Sequence, residues 1–268
     1  MNAIVLHSVV PVRAEAREGS EQLTQMLFGE LCTVLEEKSR WNRVKLALDG
    51  QEGWVDAKMI CPMKSEEFKS YSLAYKNAAM ACVPMTYAVS ENNGQTIPLT
   101  AGTRLTNYKD GRFEVLGVGF RIDPNMVAVQ PLEMNEQNLL QTVRFFLNVP
   151  YLWGGKNAMG MDCSGFTQVV MSLFGKKLLR NASEQATQGK KISDLKKVQA
   201  GDLAFFDHED GKISHVGIVL HIPTTGDEQP MTIIHCSGRV KVEKLDEIGI
   251  FSTEKSGYTH HLVSIRRV

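Results

Sequence analysis

Cys163 has the clearest capacity for covalent chemistry in this sequence, and it lies in the segment Gly160-Met161-Asp162-Cys163-Ser164-Gly165-Phe166. The apolar residues that follow recur at helical spacing, so we predict that Cys163 lies in the first turn of a helix. Exposed backbone amides and the helix dipole at that end favour the thiolate, which is the reactive form. The polar neighbours Asp162 and Ser164 distinguish it from the four cysteines that we interpret as small buried hydrophobes: Cys32, Cys61, Cys82 and Cys236.

Two histidines are candidates for the base and the orienting group that a nucleophilic cysteine needs. His215 is the best candidate base, because it shares a strand face with Gly217, which we expect to leave open space beside the imidazole. His235 ends a second predicted strand, and two histidines on one face of adjacent strands could form a relay that points at Cys163. The alternative for each is a hydrogen-bonded core histidine. The other histidines are expected in solvent or near strand ends: His7, His208, His221, His260 and His261.

A zinc site is the alternative use of these side chains, since Cys163, His215 and His235 are all acceptable ligands. The three are far apart in sequence and include no short ligand pair, so a nucleophile explains them better. The segment Trp153-Gly154-Gly155-Lys156 lacks the spacing of a phosphate-binding loop. We therefore predict neither a metal nor a cofactor.

The overall charge is balanced, with 30 Lys+Arg against 30 Asp+Glu, so no global field would hold a nucleic acid. The odd number of cysteines, five with no CxxC pair, indicates a reducing compartment. The first residues lack the charge and length of a secretory signal, and no apolar run reaches about 18 residues. We therefore expect a cytoplasmic protein without a membrane span, while a signal removed ahead of Met1 stays open as an alternative.

Residues 1–131 are predicted to form two small β-barrels, 1–62 and 63–131. In the first, short strands at 4–6, 31–35, 41–46 and 53–55 alternate with glycine-containing turns. The order Gly, apolar, turn, aromatic, Val recurs from Gly102 to Val115, which indicates a degenerate second copy. A helix is predicted between them, over 65–80.

Residues 132–268 are predicted to form a third domain of the α+β class. Leu140, Val143, Phe146 and Leu147 fall at helical spacing ahead of Pro150, and the helix that follows Cys163 comes next. Strands are then predicted at 202–206, 214–220, 231–235 and 262–266. Helices followed by strands imply an antiparallel sheet.

Five motifs in order resemble the NlpC/p60 family of papain-like cysteine peptidases, and the resemblance covers about residues 135–268. The motifs are Tyr151-Leu152-Trp153-Gly154-Gly155, Met161-Asp162-Cys163-Ser164-Gly165-Phe166, Gly201-Asp202-Leu203-Ala204-Phe205-Phe206, His215-Val216-Gly217-Ile218 and Ile234-His235. The two upstream barrels resemble bacterial SH3-like domains. Together they make the chain similar to the γ-D-glutamyl-L-diamino acid endopeptidases (dipeptidyl-peptidase VI) of murein recycling, which implies cell-wall peptides as substrates.

The resemblance implies a role for each matching residue. Cys163 would attack the γ-glutamyl carbonyl, with His215 as general base and His235 orienting it. The Cys163 amide and the Tyr151 hydroxyl would hold the oxyanion, and a structural hydrogen bond is the alternative for Tyr151.

Further positions match the family's substrate-binding cleft. Arg180 could pair with the α-carboxylate of D-Glu, or it could be an ordinary surface arginine. Helix capping is the alternative for Asp162 and Ser164. The full set of matching positions is Trp153, Asp162, Ser164, Arg180 and Ser183.

Two residues of the predicted barrels match positions that bind the free amine of an N-terminal L-Ala in the recycling enzymes. In those enzymes the first SH3-like domain lies over the substrate-binding cleft. Glu52 matches the acid and Tyr87 the accompanying hydroxyl. An ammonium buried without a carboxylate costs several kcal/mol, so such a site would reject acylated chains. The alternatives are a hairpin-loop glutamate and a core tyrosine.

The expected function is therefore a monomeric cysteine peptidase that cuts after γ-D-Glu in released murein peptides. Three alternatives stay open: a lytic endopeptidase on intact wall, a binding protein with a vestigial site, and an acyltransferase that uses an acceptor other than water.

Overall fold

The computed structural model of the protein describes residues 1–207, 211–221 and 231–268, which form two compact units. Unit 1 comprises Met1–Pro131 and Trp153–Ala158, and unit 2 comprises Leu132–Leu152 and Met159–Val268. Unit 1 thus contains both predicted barrels together with a short piece of the segment predicted as the third domain.

The first part of unit 1 is a seven-stranded antiparallel sheet that confirms the small β-barrel predicted from the sequence. Its strands are β1 Asn2–Val5, β2 Val9–Arg13, β3 Gln22–Leu27, β4 Leu31–Lys38, β5 Trp41–Leu46, β6 Glu52–Asp56 and β7 Ile60–Met63. They are ordered β3-β2-β6-β5-β4-β1-β7. Alternate residues such as Val10, Val12 and Val44 point into the core, as the two-residue period of a strand requires.

The second part of unit 1 begins with helix α1, Ser65–Lys76, within the predicted helical span. The strands that follow are β8 Ala79–Ala81, β9 Met85–Ser90, β10 Thr96–Thr100, β11 Arg104–Leu105, β12 Arg112–Val115, β13 Val118–Ile122 and β14 Val127–Ala128. They form two sheets, β10-β9-β13-β12 and β11-β8-β14. Phe28 of the first part packs edge-on against Phe120, with ring centroids 5.6 Å apart, so both parts share one core.

The segment Trp153–Ala158, which includes strand β15 (Lys156–Asn157), is held in unit 1 by buried polar contacts. The Lys156 ammonium lies 3.2 Å from the Glu30 carboxylate, and both side chains are buried. The Lys156 backbone N–H also donates to Gln25 at 2.8 Å. Burial raises the pKa of Glu30, and Lys156 opposes that shift. A buried charge that loses its partner costs several kcal/mol, so this pair fixes the segment against the first barrel.

Unit 2 has helices first and an antiparallel sheet after them, which confirms the α+β prediction. Its elements are α2 Glu136–Val143, β16 Gly160–Met161, α3 Cys163–Leu173, α4 Ala182–Gln185, β17 Lys190–Ile192, β18 Leu203–Asp207, β19 His215–His221, β20 Met231–Ser237, β21 Arg239–Leu245, β22 Gly249–Ser252 and β23 Gly257–Arg267. The sheet order is β17-β23-β18-β19-β20-β21-β22, and a further pairing of β22 with β23 closes the ring. Among the described residues, no helix has the length and apolarity needed to cross a bilayer.

Candidate active site

Cys163 is the first residue of helix α3, as the sequence predicts. Asp162 caps the helix, because its carboxylate accepts a hydrogen bond from the Gly165 backbone N–H at 2.6 Å. The Cys163 sulfur is buried and lies 4.0 Å from the carbonyl oxygen of Ser214. The helix start therefore brings the thiol beside the beginning of strand β19, where His215 lies.

The surroundings of the Cys163 thiol act against the thiolate, contrary to the expectation that the helix start would favour it. Burial raises the pKa of Cys163 to about 12, and the nearby Asp162 carboxylate adds to the increase. Backbone N–H groups of Val216 and Ser164 act in the expected direction and lower it, but burial outweighs them. A thiol in such surroundings calls for a nearby base that can take its proton.

His215 and His235 form the predicted pair across two adjacent strands. Residue 217 of β19 lies opposite His235 of β20, which places His215 and His235 on one face of the sheet. The His215 Nε2 atom is 2.8 Å from the His235 Nδ1 atom, and both side chains are buried. The rings are nearly perpendicular, at 86°, with centroids 5.0 Å apart. The arrangement is a histidine relay that begins next to Cys163.

Gly217 allows this close pairing, but the expectation of open space beside it was wrong. A Cβ atom at residue 217 would lie 2.6 Å from Ile233 Cδ1 and 2.9 Å from the Cβ atom of His235. Both distances are shorter than real Cβ contacts, so only glycine lets β20 approach here. The glycine is needed for the proximity of the two histidines.

Gly217→Ala is therefore expected to push His235 away from His215. We predict that kcat/KM falls at least about tenfold and that the free energy of unfolding falls by about 1–3 kcal/mol, typical of an overpacked core. Steady-state kinetics and urea unfolding measure the two effects. Gly257→Ala is the matched control, because the nearest atom to its Cβ would be 3.9 Å away. Unchanged kcat/KM in Gly257→Ala and in Gly217→Ala alike would contradict the role of Gly217.

Glu243 is a third member of the relay that the sequence interpretation missed. Its Oε2 atom lies 2.9 Å from His235 Nε2, and its Oε1 atom lies 3.2 Å from the Lys241 ammonium. In the register of β20 and β21, Glu243 lies opposite Ile233 and Lys241 opposite His235. The alternating charged and apolar residues from Arg239 to Glu243 were the available signal, since they place Lys241 and Glu243 on the face of His235.

His260 also contradicts the sequence interpretation, which expected it in solvent or near a strand end. It lies within β23, is 8% exposed, and its ring stacks on His215 with centroids 4.2 Å apart. His7 is exposed, His221 ends β19 and is partly buried, and His261 is partly buried within β23. His208 lies outside the described residues. His215 is thus packed between His260 and the edge of His235.

Arg180 is not the ordinary surface arginine that was the alternative for it, and its guanidinium already has partners within the protein. It is 1% exposed, and its guanidinium binds both oxygens of Asp162, at 3.0 and 2.6 Å. The same guanidinium donates to the Ser164 hydroxyl at 2.8 Å. Asp162 and Ser164 are therefore buried partners of Arg180, and Asp162 also fulfils its alternative role as a helix cap. Ser183 lies in α4 and is exposed.

Tyr151 is half-buried near the nucleophile. Burial raises the pKa of the Tyr151 hydroxyl above its ordinary value, and the adjacent Cys163 contributes to the increase. The hydroxyl therefore stays protonated and is able to donate a hydrogen bond to an oxyanion.

Three predicted substrate-binding residues belong to unit 1. The exposed Trp153 indole N–H donates to Glu21 at 2.7 Å, and the Trp153 carbonyl accepts from Gln22 at 3.0 Å. Glu52 begins β6 and is not in a hairpin loop, and its carboxylate is paired with Arg43 and Lys45. Tyr87 is 57% exposed, so its alternative as a core tyrosine was wrong.

The side chains of unit 2 together provide a thiol nucleophile and a hydrogen-bonded chain of two imidazoles and a carboxylate. Such a set suits nucleophilic attack on an acyl group, with the first histidine moving the proton. Within the described residues, no cluster of three or more His, Cys, Asp or Glu side chains has the arrangement of a metal site.

Comparison with protein families gives two matches. Residues 148–267 match the NlpC/P60 family, and residues 12–60 match the bacterial dipeptidyl-peptidase Sh3 domain. The two matches fall on the segments predicted to hold the nucleophile and the first barrel.

Individual relatives extend the likeness over most of the chain. A gamma-D-glutamyl-L-lysine dipeptidyl-peptidase of Bacillus subtilis is 32% identical over 76% of this chain and 73% of its own length. A Bacillus cereus protein of the same name is 26% identical over 74% of this chain and 64% of its own length, just under two thirds. The crystal structure of a Bacillus cereus NlpC/P60 family protein has a TM-score of 0.80 at 20% identity, covering 100% of this chain and 99% of that one. That structure supports the fold.

Proposed function

Since this chain belongs to the NlpC/P60 family of cysteine peptidases, we propose that it hydrolyses the γ-D-glutamyl–diamino acid bond of murein peptides that begin with a free L-Ala. The observation that carries the proposal is the 32% identity over 223 residues with a gamma-D-glutamyl-L-lysine dipeptidyl-peptidase. That alignment is much longer than the peptidase match at 148–267 and therefore includes residues outside it. The likeness thus exceeds what a shared peptidase domain alone would give.

The proposed reaction begins with the Cys163 thiol. As its sulfur attacks the γ-glutamyl carbonyl carbon, its proton passes to His215. The tetrahedral oxyanion is stabilised by the Cys163 backbone N–H, which as the first residue of a helix has no intrahelical acceptor, and by the Tyr151 hydroxyl. His215 then gives its proton to the amine of the departing diamino acid. Water, deprotonated by His215, hydrolyses the thioester and restores the thiol.

The proposed selection of peptides with a free amino terminus over acylated peptides depends on residues of unit 1. The resemblance assigns the ammonium to Glu52 and Tyr87, but Glu52 already pairs with Arg43 and Lys45. Glu21 is a second acidic candidate. Its carboxylate accepts the indole hydrogen bond of Trp153, which is one of the positions that match the family's substrate-binding cleft. A carboxylate that binds the ammonium would make acylated peptides poor substrates. An enzyme restricted in this way would act on released peptides, as murein recycling in the cytoplasm requires.

The direct test uses L-Ala-γ-D-Glu-diamino acid and its N-acetylated twin, each with meso-diaminopimelate or with Lys, and follows release of the diamino acid by mass spectrometry. We expect cleavage of the free-amine peptide and at least about 100-fold lower kcat/KM for the acetylated peptide, since acetylation would leave a desolvated carboxylate without its cationic partner, which costs several kcal/mol. Equal activity on acetylated peptide or on polymeric murein would refute the amine requirement. No release from any peptide would refute the proposed substrate.

Two matched variants identify the carboxylate. Glu52→Gln and Glu21→Gln each remove one charge while keeping the size of the side chain. The variant that brings the two peptides to similar kcat/KM locates the ammonium-binding acid. If both variants keep the wild-type preference for the free-amine peptide, neither Glu52 nor Glu21 is the acid that selects for a free amino terminus.

A further inference from the structure

Glu243 ends the hydrogen-bonded chain that leads away from Cys163. Its carboxylate oxygen lies 2.9 Å from His235 Nε2, and His235 Nδ1 lies 2.8 Å from His215 Nε2. The Glu243 side chain is 7% exposed and His235 is fully buried. These contacts lie within strands β19, β20 and β21 of one sheet, so their geometry is set by backbone pairing.

Glu243 is ionised and can therefore only accept hydrogen bonds. Burial raises the pKa of Glu243, but the hydrogen bond with His235, the nearby Ser252 hydroxyl and the Lys241 ammonium more than offset this and lower it to about 2. The second oxygen is occupied by the Lys241 ammonium at 3.2 Å. An ionised carboxylate has no proton to donate, so the hydrogen in its bond with His235 must come from the imidazole.

The proton positions of both histidines follow from this one acceptor. Burial lowers the pKa of His235, and a neutral imidazole carries one proton. With that proton on Nε2, facing Glu243, the Nδ1 atom of His235 is an acceptor. The His215 Nε2 atom, 2.8 Å away, must then be the donor. A neutral His215 with its proton on Nε2 keeps its lone pair on Nδ1, and this is the atom that can accept a proton.

We propose that Glu243 is a positioning residue that fixes the tautomers of His235 and His215 and so makes Nδ1 of His215 the base atom. The inference rests on the cysteine peptidase chemistry of the family and not on which murein peptide is the substrate. During attack the proton leaves Cys163 for His215 Nδ1, and the positive charge that forms on His215 is stabilised through His235 by the distant carboxylate. Glu243 never exchanges a proton with the substrate.

Glu243→Gln tests the proposal, because an amide can donate as well as accept. With the amide nitrogen facing His235, both imidazoles reverse their hydrogen bonds and His215 carries its proton on Nδ1. By analogy with the tautomer effect in catalytic triads, we expect kcat for L-Ala-γ-D-Glu-diamino acid to fall by about 10²- to 10⁴-fold with little change in KM. Glu254→Gln is the matched control, since Glu254 lines the same pocket of about 380 Å³ and also pairs with Lys241.

The tautomers themselves are read by long-range ¹H–¹⁵N NMR of the histidine rings in the wild-type protein, with assignments from His215→Gln and His235→Gln. This measurement requires no substrate, so it separates the present inference from the proposed function. Protons on Nε2 of both His215 and His235 support the inference, and a proton on His235 Nδ1 overturns it. Wild-type kcat in a folded Glu243→Gln protein, or an equal fall in Glu254→Gln, overturns it as well. If circular dichroism shows that Glu243→Gln does not fold, the tautomers measured in the wild-type protein decide whether the inference holds.

Discussion

Cys163→Ala is expected to lower kcat/KM on L-Ala-γ-D-Glu-diamino acid by at least about 10⁴-fold, because no other group in the relay can form the covalent thioester. Cys163 is the residue at the start of α3 next to the strand that carries His215. Substrate binding should survive, since the change removes one sulfur atom. Isothermal titration of the variant with peptide and steady-state kinetics measure the two properties separately.

Cys236→Ala is the matched control for this prediction. Cys236 is also a buried free thiol in unit 2, and its S–H donates to the Met161 carbonyl at 3.1 Å. That carbonyl also accepts from the Leu152 backbone N–H at 2.9 Å, so it keeps a partner when the sulfur is removed. We expect nearly full activity. Normal turnover in Cys163→Ala would refute the nucleophile, and comparable losses in both variants would show that neither thiol acts by itself.

The nucleophile and the two histidines could be predicted from sequence because each depends on a short-range rule. A polar cap followed by apolar residues at helical spacing predicts a helix start at Cys163. A two-residue period places His215 and residue 217 on one face, and a following strand brings His235 to them. These rules act within one element or between sequential neighbours, which pair often in antiparallel sheets.

The environment of these residues could not be predicted, because it depends on which distant side chains pack beside them. His260 approaches His215 from β23, which is adjacent to β18 and not to β19 in the sheet order. Burial of Cys163 reversed the expected direction of its pKa shift. Local sequence indicates that a residue is capable of chemistry, whereas the balance of burial and partners decides its protonation state.

Parts of the N-terminal barrel could not be predicted from the sequence either. Strands β2 and β3 were not predicted: β2 contains Pro11, and β3 reads Gln-Leu-Thr-Gln-Met-Leu without clear alternation. The place of Trp153–Ala158 in unit 1 was also invisible from sequence. It depends on the buried pair of Lys156 with Glu30, whose members are separated by 126 residues.

Arg180→Met is expected to lower the free energy of unfolding by about 3–5 kcal/mol, since it leaves the Asp162 carboxylate buried without its guanidinium partner. The guanidinium contacts both Asp162 oxygens and the Ser164 hydroxyl, and Asp162 also caps the helix that carries Cys163. Urea unfolding followed by far-ultraviolet circular dichroism measures the change. Arg239→Met is the control, because Arg239 is an exposed member of an ion pair with Glu254 and should cost less than about 1 kcal/mol.

The double variant Arg180→Met/Asp162→Asn separates a structural ion pair from a substrate-binding arginine. Asparagine keeps an oxygen that can cap α3 but carries no charge, so the double variant should recover most of the stability lost in Arg180→Met. If the arginine acts instead on the α-carboxylate of D-Glu, Arg180→Met will raise KM with little loss of stability, and Asp162→Asn will not compensate. The buried bidentate geometry favours the first outcome, in which Arg180 holds the capping aspartate and thereby the position of the nucleophile.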